Sequence, residues 1–270
     1  MEVWSPDWWW LAYLLLGLLI GFFAGLLGLG GGVVLVPLLV FLFDLQHFPT
    51  DRLVHLALGT SLASIVFTNL SSVRAHHVRG SVRWEIVRDV APSVVVGTLL
   101  GTFFADRLSS RYLAIIFTLF VSYASLQLWL DRNPKPTRQL PGKWGLALGG
   151  VILGAVSSLV GVAGGVITIP LLMRCNVPIR NCIGTAAAIG LPICIGGAAG
   201  YIVTGFNKTH LPPLTLGYVY LPALLGLVVG SFMTVPYGAH IAHRISAGGL
   251  KRIFAIVLLL LAAKMAWSLF

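Results

Sequence analysis

Two glycine-rich runs lie within apolar stretches, and their chemistry suits the binding of a small anion. The first is GLLGLGGGVVLVP, from Gly25 to Pro37, and the second is GAVSSLVGVAGGVITIP, from Gly154 to Pro170. Because glycine permits positive φ angles, each run predicts a break in a membrane helix. The helix that begins after each break starts with unpaired N–H groups and a partial positive charge, which together bind anions. The structural alternative is that these glycines only allow helices to cross closely.

The residues that we expect to contact the substrate are the glycines of each break and the first residue of each following helix. They are Gly30, Gly31, Gly32 and Val33 in the first run, with Ala163, Gly164, Gly165 and Val166 in the second. Ala163 stands where the first run has Gly30, so we expect the second break to be less open.

Hydroxyl and amide side chains in the neighbouring apolar segments extend this candidate site. They suit a weakly held oxyanion because they donate hydrogen bonds without trapping it. The candidates are Thr60, Ser61 and Asn69 in the first half of the chain, and Ser157, Ser158, Thr168 and Thr185 in the second. The alternative for each is a hydrogen bond between helices, which is the commoner role of such residues in membranes.

No pattern of nucleophiles, metal ligands or cofactor-binding residues accompanies these side chains. The three cysteines form no CxxC pair, and the sequence contains neither a GxSxG nor an HExxH motif. An intramembrane enzyme is therefore disfavoured, and we expect no catalytic residue, metal or cofactor. His55, near the start of an apolar segment, is the histidine that could titrate during transport.

The elements that must position these residues are membrane helices. Of the 270 residues, 57% are hydrophobic and 10% are charged, and the mean hydropathy is +0.93. A soluble domain carries about 25% charged residues, so the composition excludes one and predicts an all-α polytopic membrane protein. The net charge of +10 does not indicate nucleic-acid binding, because the Lys and Arg residues lie in short loops as topology signals.

The acidic residues favour an anion over a cation as the substrate. None of the 8 Asp and Glu residues lies in the middle of an apolar run, and none follows Asp131. Carboxylates inside the bilayer are the usual carriers of protons and cations in transporters. The alternative is that a chain this apolar simply has few acids.

The chain consists of two related halves. The matched positions are, in pairs, Pro37 and Pro170, Gly59 and Gly184, Thr60 and Thr185, Gly80 and Gly205, and Pro92 and Pro222. We therefore predict a first transmembrane repeat over residues 1–130 and a second over residues 144–270. The segment between them, residues 131–143, is rich in proline and basic residues and predicts a linker on the inside.

The apolar segments predict the path of the chain through the membrane. They cover about residues 9–27, 33–43, 53–73, 90–105 and 111–130 in the first half, and 144–160, 166–173, 181–204, 216–236 and 250–268 in the second. The second segment of each half is too short for a hydrocarbon core of about 30 Å, so it predicts a broken or re-entrant helix.

Topology follows from the basic residues. Five passes per half, with the N-terminus outside, place most of the 18 Lys and Arg residues inside. If the glycine runs are only kinks, each half makes four passes, and fewer of the Lys and Arg residues lie on the inside. An odd number of passes makes the two repeats inverted, with about eight full spans and two short half-helices.

The doubled glycine run followed by an apolar stretch and a proline resembles the sulfite exporter TauE/SafE family, also described as a sulfonate-uptake permease family. The residues that carry the resemblance are Gly25–Pro37 with Gly59-Thr60, and Gly154–Pro170 with Gly184-Thr185. The similarity extends over essentially the whole chain. It implies a plasma-membrane permease for a small sulfur oxyanion or sulfonate, such as sulfite or sulfoacetate, and it identifies no catalytic residue.

The predicted function is that of a secondary transporter, lying in the lipid bilayer, that exports a small anion by alternating access about the two breaks. An inward-negative potential favours anion export by about 2.3 kcal/mol per charge per 100 mV. A passive anion channel remains the alternative, with an intramembrane enzyme a more distant one. No nucleic acid is expected as a partner, and the sequence does not indicate an oligomeric state.

Overall fold

The computed structural model describes residues 7–27, 32–130, 139–242, 255–261 and 263–265. Its helices, in chain order, are α1 (Asp7–Leu27), α2 (Gly32–Leu45), α3 (Leu53–Val78), α4 (Trp84–Arg107), α5 (Ser110–Leu130), α6 (Lys143–Val160), α7 (Gly165–Arg174), α8 (Ile179–Gly205) and α9 (Leu221–Ala242). A further helical segment covers residues 255–261 and 263–265. The architecture agrees with the predicted all-α membrane protein.

Two differences from the predicted segments have a local cause. Helix α4 begins at Trp84 and not near residue 90, because its first turns contain Glu85, Arg88 and Asp89 and are too polar to register as an apolar segment. The segment expected from residue 216 starts as an antiparallel hairpin of β1 (Thr215–Leu216) and β2 (Val219–Tyr220). Gly217, with a φ of +56°, makes this turn possible.

Helix length separates spanning from non-spanning elements. Four of the described helices, α3, α4, α6 and α8, are long and apolar enough to cross a membrane. Helices α2 and α7 have 14 and 10 residues, which corresponds to rises of about 21 and 15 Å. Each is too short to cross alone, as predicted for the segment that follows each glycine run.

The protein interior is formed around α3 and α8, which are the most deeply buried of the four long helices and pack against each other. Helices α4, α5 and α6 instead turn large apolar side chains outward, among them Phe103, Leu119 and Leu148. Exposed apolar surface on this scale is expected where the surrounding solvent is lipid.

Helices α1 and α9 cross through matched pairs of glycines four residues apart. A Cβ atom on Gly17 would lie 2.8 Å from the carbonyl oxygen of Gly226, and one on Gly21 would lie 2.7 Å from that of Ser231. A Cβ on Gly230 would likewise lie 2.6 Å from the backbone nitrogen of Leu18. The two backbones are therefore in direct contact, as in membrane helix pairs built on GxxxG.

Helices α6 and α4 meet through the same construction. A Cβ on Gly154 would lie 2.8 Å from the backbone nitrogen of Thr98, and one on Gly101 would lie 2.8 Å from the carbonyl oxygen of Ala155. The first helix of each half thus packs against the fourth helix of the other half.

The connecting loops meet in two separate groups. In the first group Lys208 Nζ lies 2.8 Å from Asp106 Oδ2, and the Tyr218 hydroxyl donates to Asp106 Oδ1 over 2.8 Å. Arg52 donates to that hydroxyl over 3.1 Å. Burial raises the pKa of the Tyr218 phenol, which therefore keeps its proton as a donor. The α2–α3 and α8–α9 loops are joined in this way to the end of α4.

In the second group the start of α8 contacts the α3–α4 loop. The Arg180 guanidinium donates to the carbonyl oxygen of Arg79 over 3.0 Å, and the Asn181 amide donates to that of Ser81 over 3.3 Å. Arg52 precedes α3 and Arg79 follows it, so the two groups lie at opposite ends of a helix of 26 residues, about 39 Å long.

Candidate substrate site at the helix breaks

The break between α6 and α7 is formed by two glycines in the left-handed conformation. Gly161 has φ 70° and ψ 34° at the end of α6, and Gly164 has φ 75° and ψ −2° at the start of α7. The N–H groups of Gly161 and Val162 close the last turn of α6 by donating to the carbonyl oxygen of Ser157, over 2.9 and 3.2 Å. Positive φ at both positions explains why the run needs glycine there.

The first break is described only from its last residue. Gly30 and Gly31 lie outside the described residues, whereas Gly32 and Val33 are buried at the start of α2. A Cβ on Gly32 would lie 3.1 Å from the carbonyl oxygen of Gly161 and 3.4 Å from Cα of Val162. The start of α2 is therefore packed directly against the second break.

The N-terminus of α7 has no side-chain cap. Ile167 and Thr168 donate their N–H groups to the carbonyl oxygen of Gly164, over 3.0 and 2.9 Å. The N–H groups of Gly165 and Val166 come before this first turn of hydrogen bonds, as the leading donors of every helix do. Together with the helix dipole they give this end of α7 a partial positive charge.

Two buried side-chain donors face the break without a partner among the described residues. The hydroxyl of Ser157 is fully buried and lies 3.0 Å from the position that a Cβ on Gly164 would take. The amide Nδ2 of Asn69, on a side chain that is 4% exposed, lies 2.6 Å from the Cβ position of Gly190. That same position is 2.9 Å from the carbonyl oxygen of Ala163, so Asn69 borders the break from the α3 side.

Hydrogen bonds from other side chains hold the break in its conformation. Ser61 of α3 donates to the carbonyl oxygen of Gly161 over 3.0 Å, and Thr168 donates to that of Gly164 over 2.9 Å. The carbonyl group of Gly161 accepts no backbone N–H from the described residues, so the Ser61 bond replaces the helical partner that the break removes. The carbonyl group of Gly164 also accepts the first backbone bonds of α7, and Thr168 adds a side-chain bond to them.

Three predicted site residues make their hydrogen bonds elsewhere. Thr60 accepts the N–H of Tyr220, and Thr185 accepts that of Arg83, each over 3.0 Å. Ser158 donates to the carbonyl oxygen of Ala155 within α6 over 2.9 Å. Gly190 of α8, which faces both Asn69 and Ala163, was not among the predicted site residues. A glycine in the middle of a long apolar run was the available signal.

A cavity of about 420 Å³ approaches the break between α4, α6, α7 and α8. Leu153, Thr168 and Ile189 line its deeper part, and Leu153 Cδ1 lies 3.3 Å from the Cβ position of Gly164. Arg174 and Gln139 also line it. Because Arg174 ends α7, the cavity extends toward the end of the protein where Arg180 lies.

His55 is buried at the other end of α3. Its Nε2 lies 3.0 Å from the carbonyl oxygen of Ala105, and its ring stacks on Tyr218 with centroids 5.1 Å apart. No group of three His, Cys, Asp or Glu side chains that could hold a metal ion occurs within the described part of the chain.

Long apolar helices combined with short helices that follow glycine-rich runs are typical of α-helical membrane transport proteins. The chain belongs to the sulfite exporter TauE/SafE family, whose family model matches residues 13–265. It is 36% identical to a "probable membrane transporter protein" of Haemophilus influenzae, over 93% of this chain and 96% of the relative. It is 29% identical to the "probable membrane transporter protein YdhB" of Bacillus subtilis, over 83% of this chain and 86% of the relative. No solved structure matches the chain.

Proposed function

We propose that this protein is a secondary transporter that moves a small sulfur oxyanion, such as sulfite, or an organic sulfonate across the plasma membrane by alternating access. The observation that carries the proposal is the contact between the start of α2 and the second break, where Gly32 packs on Gly161 beside the uncapped N-terminus of α7. An anion held there would be within reach of both halves of the protein. Relative movement of the halves would then expose it to either side.

The proposed architecture is a pair of inverted repeats, residues 1–130 and 144–270, joined by an inside linker over residues 131–143. In each half, the first helix packs against the fourth helix of the other half, through closely spaced glycines in both cases. The α1–α9 and α6–α4 contacts are therefore equivalent, which supports two structural repeats. We propose about eight full spans and two short half-helices, with the N-terminus outside.

The grouping of the loops supports inversion. If α1–α2 and α6–α7 were each one kinked span, the α7–α8 loop would lie on the same side as the α2–α3 loop. Arg180, at the start of α8, instead contacts Arg79 and the α3–α4 loop, whereas Lys208 of the α8–α9 loop joins the group of Arg52. This grouping is expected when α2 and α7 return the chain to the side from which it came.

The proposed substrate contacts are Gly30 to Val33, Ala163 to Val166 and Asn69. The hydroxyl groups of four other predicted residues are engaged in the contacts described above, so we assign these residues to holding helices, loops and the break: Thr60, Ser61, Thr185 and Ser158. Export is the proposed direction because the membrane potential drives an anion outward.

Flux measurements in proteoliposomes test this function. Purified protein would be reconstituted and its uptake of sulfite, thiosulfate, sulfate, sulfonates and acetate measured under an imposed pH gradient and under an imposed potential. Saturable sulfite or sulfonate flux with countertransport is expected. Absence of flux for every anion of the panel would overturn the proposal, and conductance without countertransport would replace the carrier by a channel.

A further inference from the structure

We propose that the second break is a charge-neutral oxyanion site that selects monoanions, with Ser157 Oγ, Asn69 Nδ2 and the N–H groups at the start of α7 as its donors. The inference rests on the proposed transport function and specifies the substrate class of the same site. It predicts that singly charged oxyanions, such as hydrogensulfite or a sulfonate, bind there and that dianions such as sulfate do not.

Three sets of donors border the break. The uncapped N-terminus of α7 presents the N–H groups of Gly165 and Val166. Ser157 Oγ of α6 lies 3.0 Å from the Cβ position of Gly164, and Asn69 Nδ2 of α3 lies 2.6 Å from the Cβ position of Gly190, which is itself 2.9 Å from the carbonyl oxygen of Ala163. The donors of this site therefore come from three helices.

The two side-chain donors require an explanation because both are buried and neither has a partner among the described residues. Buried donors in folded proteins are almost always satisfied, since an unmade hydrogen bond there is costly. Neighbouring side chains do not leave such donors free: Ser61, Thr168 and Ser158 all donate to carbonyl groups nearby. An oxyanion, which accepts several hydrogen bonds, would satisfy both.

None of the described side chains that contact the break carries a formal positive charge. They are all polar-neutral or apolar: Val36, Leu58, Ser61, Ile65, Asn69, Leu153, Ser157 and Ile193. Transfer of an ion out of water costs a free energy that grows with the square of its charge, so neutral donors compensate a monoanion far better than a dianion. Charge-assisted bonds from Arg or Lys would strengthen the binding of a dianion, and none comes from the described side chains at the break.

The first break lacks the corresponding polar side chains. When Pro37 is matched with Pro170, Ala24 stands in the place of Ser157. When Thr60 is matched with Thr185, Cys194 stands in the place of Asn69. Of the two breaks, only the second therefore has polar side-chain donors. This points to one anion bound at the second break and not to a symmetric pair of anions.

Competition against wild-type sulfite flux tests the selectivity without any substitution. Methanesulfonate, a permanent monoanion, is expected to inhibit, and sulfate, a dianion, is expected to be at least about 100-fold weaker. Equal inhibition by the two would overturn the charge-neutral site while leaving the transporter proposal intact. If wild-type protein moves no anion, the transport proposal fails, and a thermal shift of the purified protein by methanesulfonate but not by sulfate still tests the site.

Substitutions test the assigned donors. Ser157→Ala and Asn69→Leu are each expected to raise the KM for the transported anion about 3- to 10-fold, which corresponds to the loss of one hydrogen bond. Asn69→Asp, which adds a negative charge, is expected to abolish flux. Ser231→Ala is the matched control, because Ser231 is equally buried and donates within its own helix. Unchanged KM in both Ser157→Ala and Asn69→Leu, with thermal stability retained, would overturn the assignment.

Discussion

Ser61 donates a hydrogen bond of 3.0 Å to the carbonyl oxygen of Gly161, across 100 positions of the chain. It joins α3 of the first half to the glycine that ends α6 in the second half. The bond occupies a carbonyl group that the break has removed from the helical pattern. The second break is therefore held by a helix from the other half of the chain, and its conformation depends on how α3 packs against it.

Removal of this bond should loosen the break. We expect Ser61→Ala to lower the free energy of unfolding by about 1 kcal/mol, because the carbonyl group of Gly161 would be left without its partner in a buried place. Thermal unfolding in detergent measures the change. Ser64→Ala is the control, since Ser64 is also buried in α3 but donates only to the carbonyl of Ser61 in its own helix. An equal loss in both variants would contradict a specific role for Ser61.

Gly164 should not tolerate a side chain. Its φ of +75° imposes strain of about 1–2 kcal/mol on any other residue, and a Cβ would lie 3.0 Å from both Ser157 Oγ and Ile193 Cδ1. We expect Gly164→Ala to reduce anion flux at least tenfold. Gly80→Ala carries similar strain at φ +63° but has open space around it, so it separates strain from crowding. If the Gly164→Ala variant transported anions as fast as the Gly80→Ala variant, crowding at Gly164 would have no role in transport.

The α4–α6 crossing should fail when a bulky side chain enters it. Gly154→Leu would place atoms against the backbone of Thr98, and we expect destabilisation of about 1–3 kcal/mol or more. Gly149 of the same helix has nothing within 4 Å of its Cβ position, so Gly149→Leu should fold normally. The two variants are compared by the yield of monodisperse protein after purification in detergent. Gly17→Leu, at the α1–α9 crossing, is expected to behave like Gly154→Leu, and a mild effect there would argue against equivalent crossings.

Cysteine labelling can test the proposed inversion. In a protein without its native cysteines, Arg79→Cys and Arg180→Cys should react with a membrane-impermeant maleimide from one side, and Lys208→Cys from the other. The contacts of Arg180 with the α3–α4 loop and of Lys208 with Asp106 place these positions in the two separate loop groups. Labelling of Arg180→Cys and Lys208→Cys from the same side would contradict inverted repeats.

Asp106 should be needed for the loop group that it organises. Its carboxylate accepts from both Lys208 and Tyr218, so Asp106→Asn would remove the negative charge while keeping the shape. We expect a loss of about 1 kcal/mol in unfolding free energy, because the ion pair is partly exposed and screened. Lys208→Met should give a smaller loss. A stability of Asp106→Asn equal to that of the wild-type protein would show that this group is not structural.

Several features were predictable because they depend on neighbouring residues alone. Gly161 and Gly164 predicted the break before α7, and the short apolar stretch after them predicted a helix too short to span the membrane. The predicted start of α4 was too late in the chain, because the first turns of this helix contain Glu85 and Asp89 and a search for apolar segments does not detect them. The hairpin before α9 was missed because two-residue strands leave no periodic pattern.

The sequence by itself determined the membrane class, the family, the two glycine breaks and the set of polar residues near them, because hydropathy and glycine act locally. Only the tertiary structure decided which of those polar groups are free. Ser157 and Ser158 are adjacent and identical in type, yet Ser158 is bonded to Ala155 and Ser157 has no partner among the described residues. Whether a donor is satisfied depends on which groups pack against it from distant parts of the chain, and no local pattern contains that information.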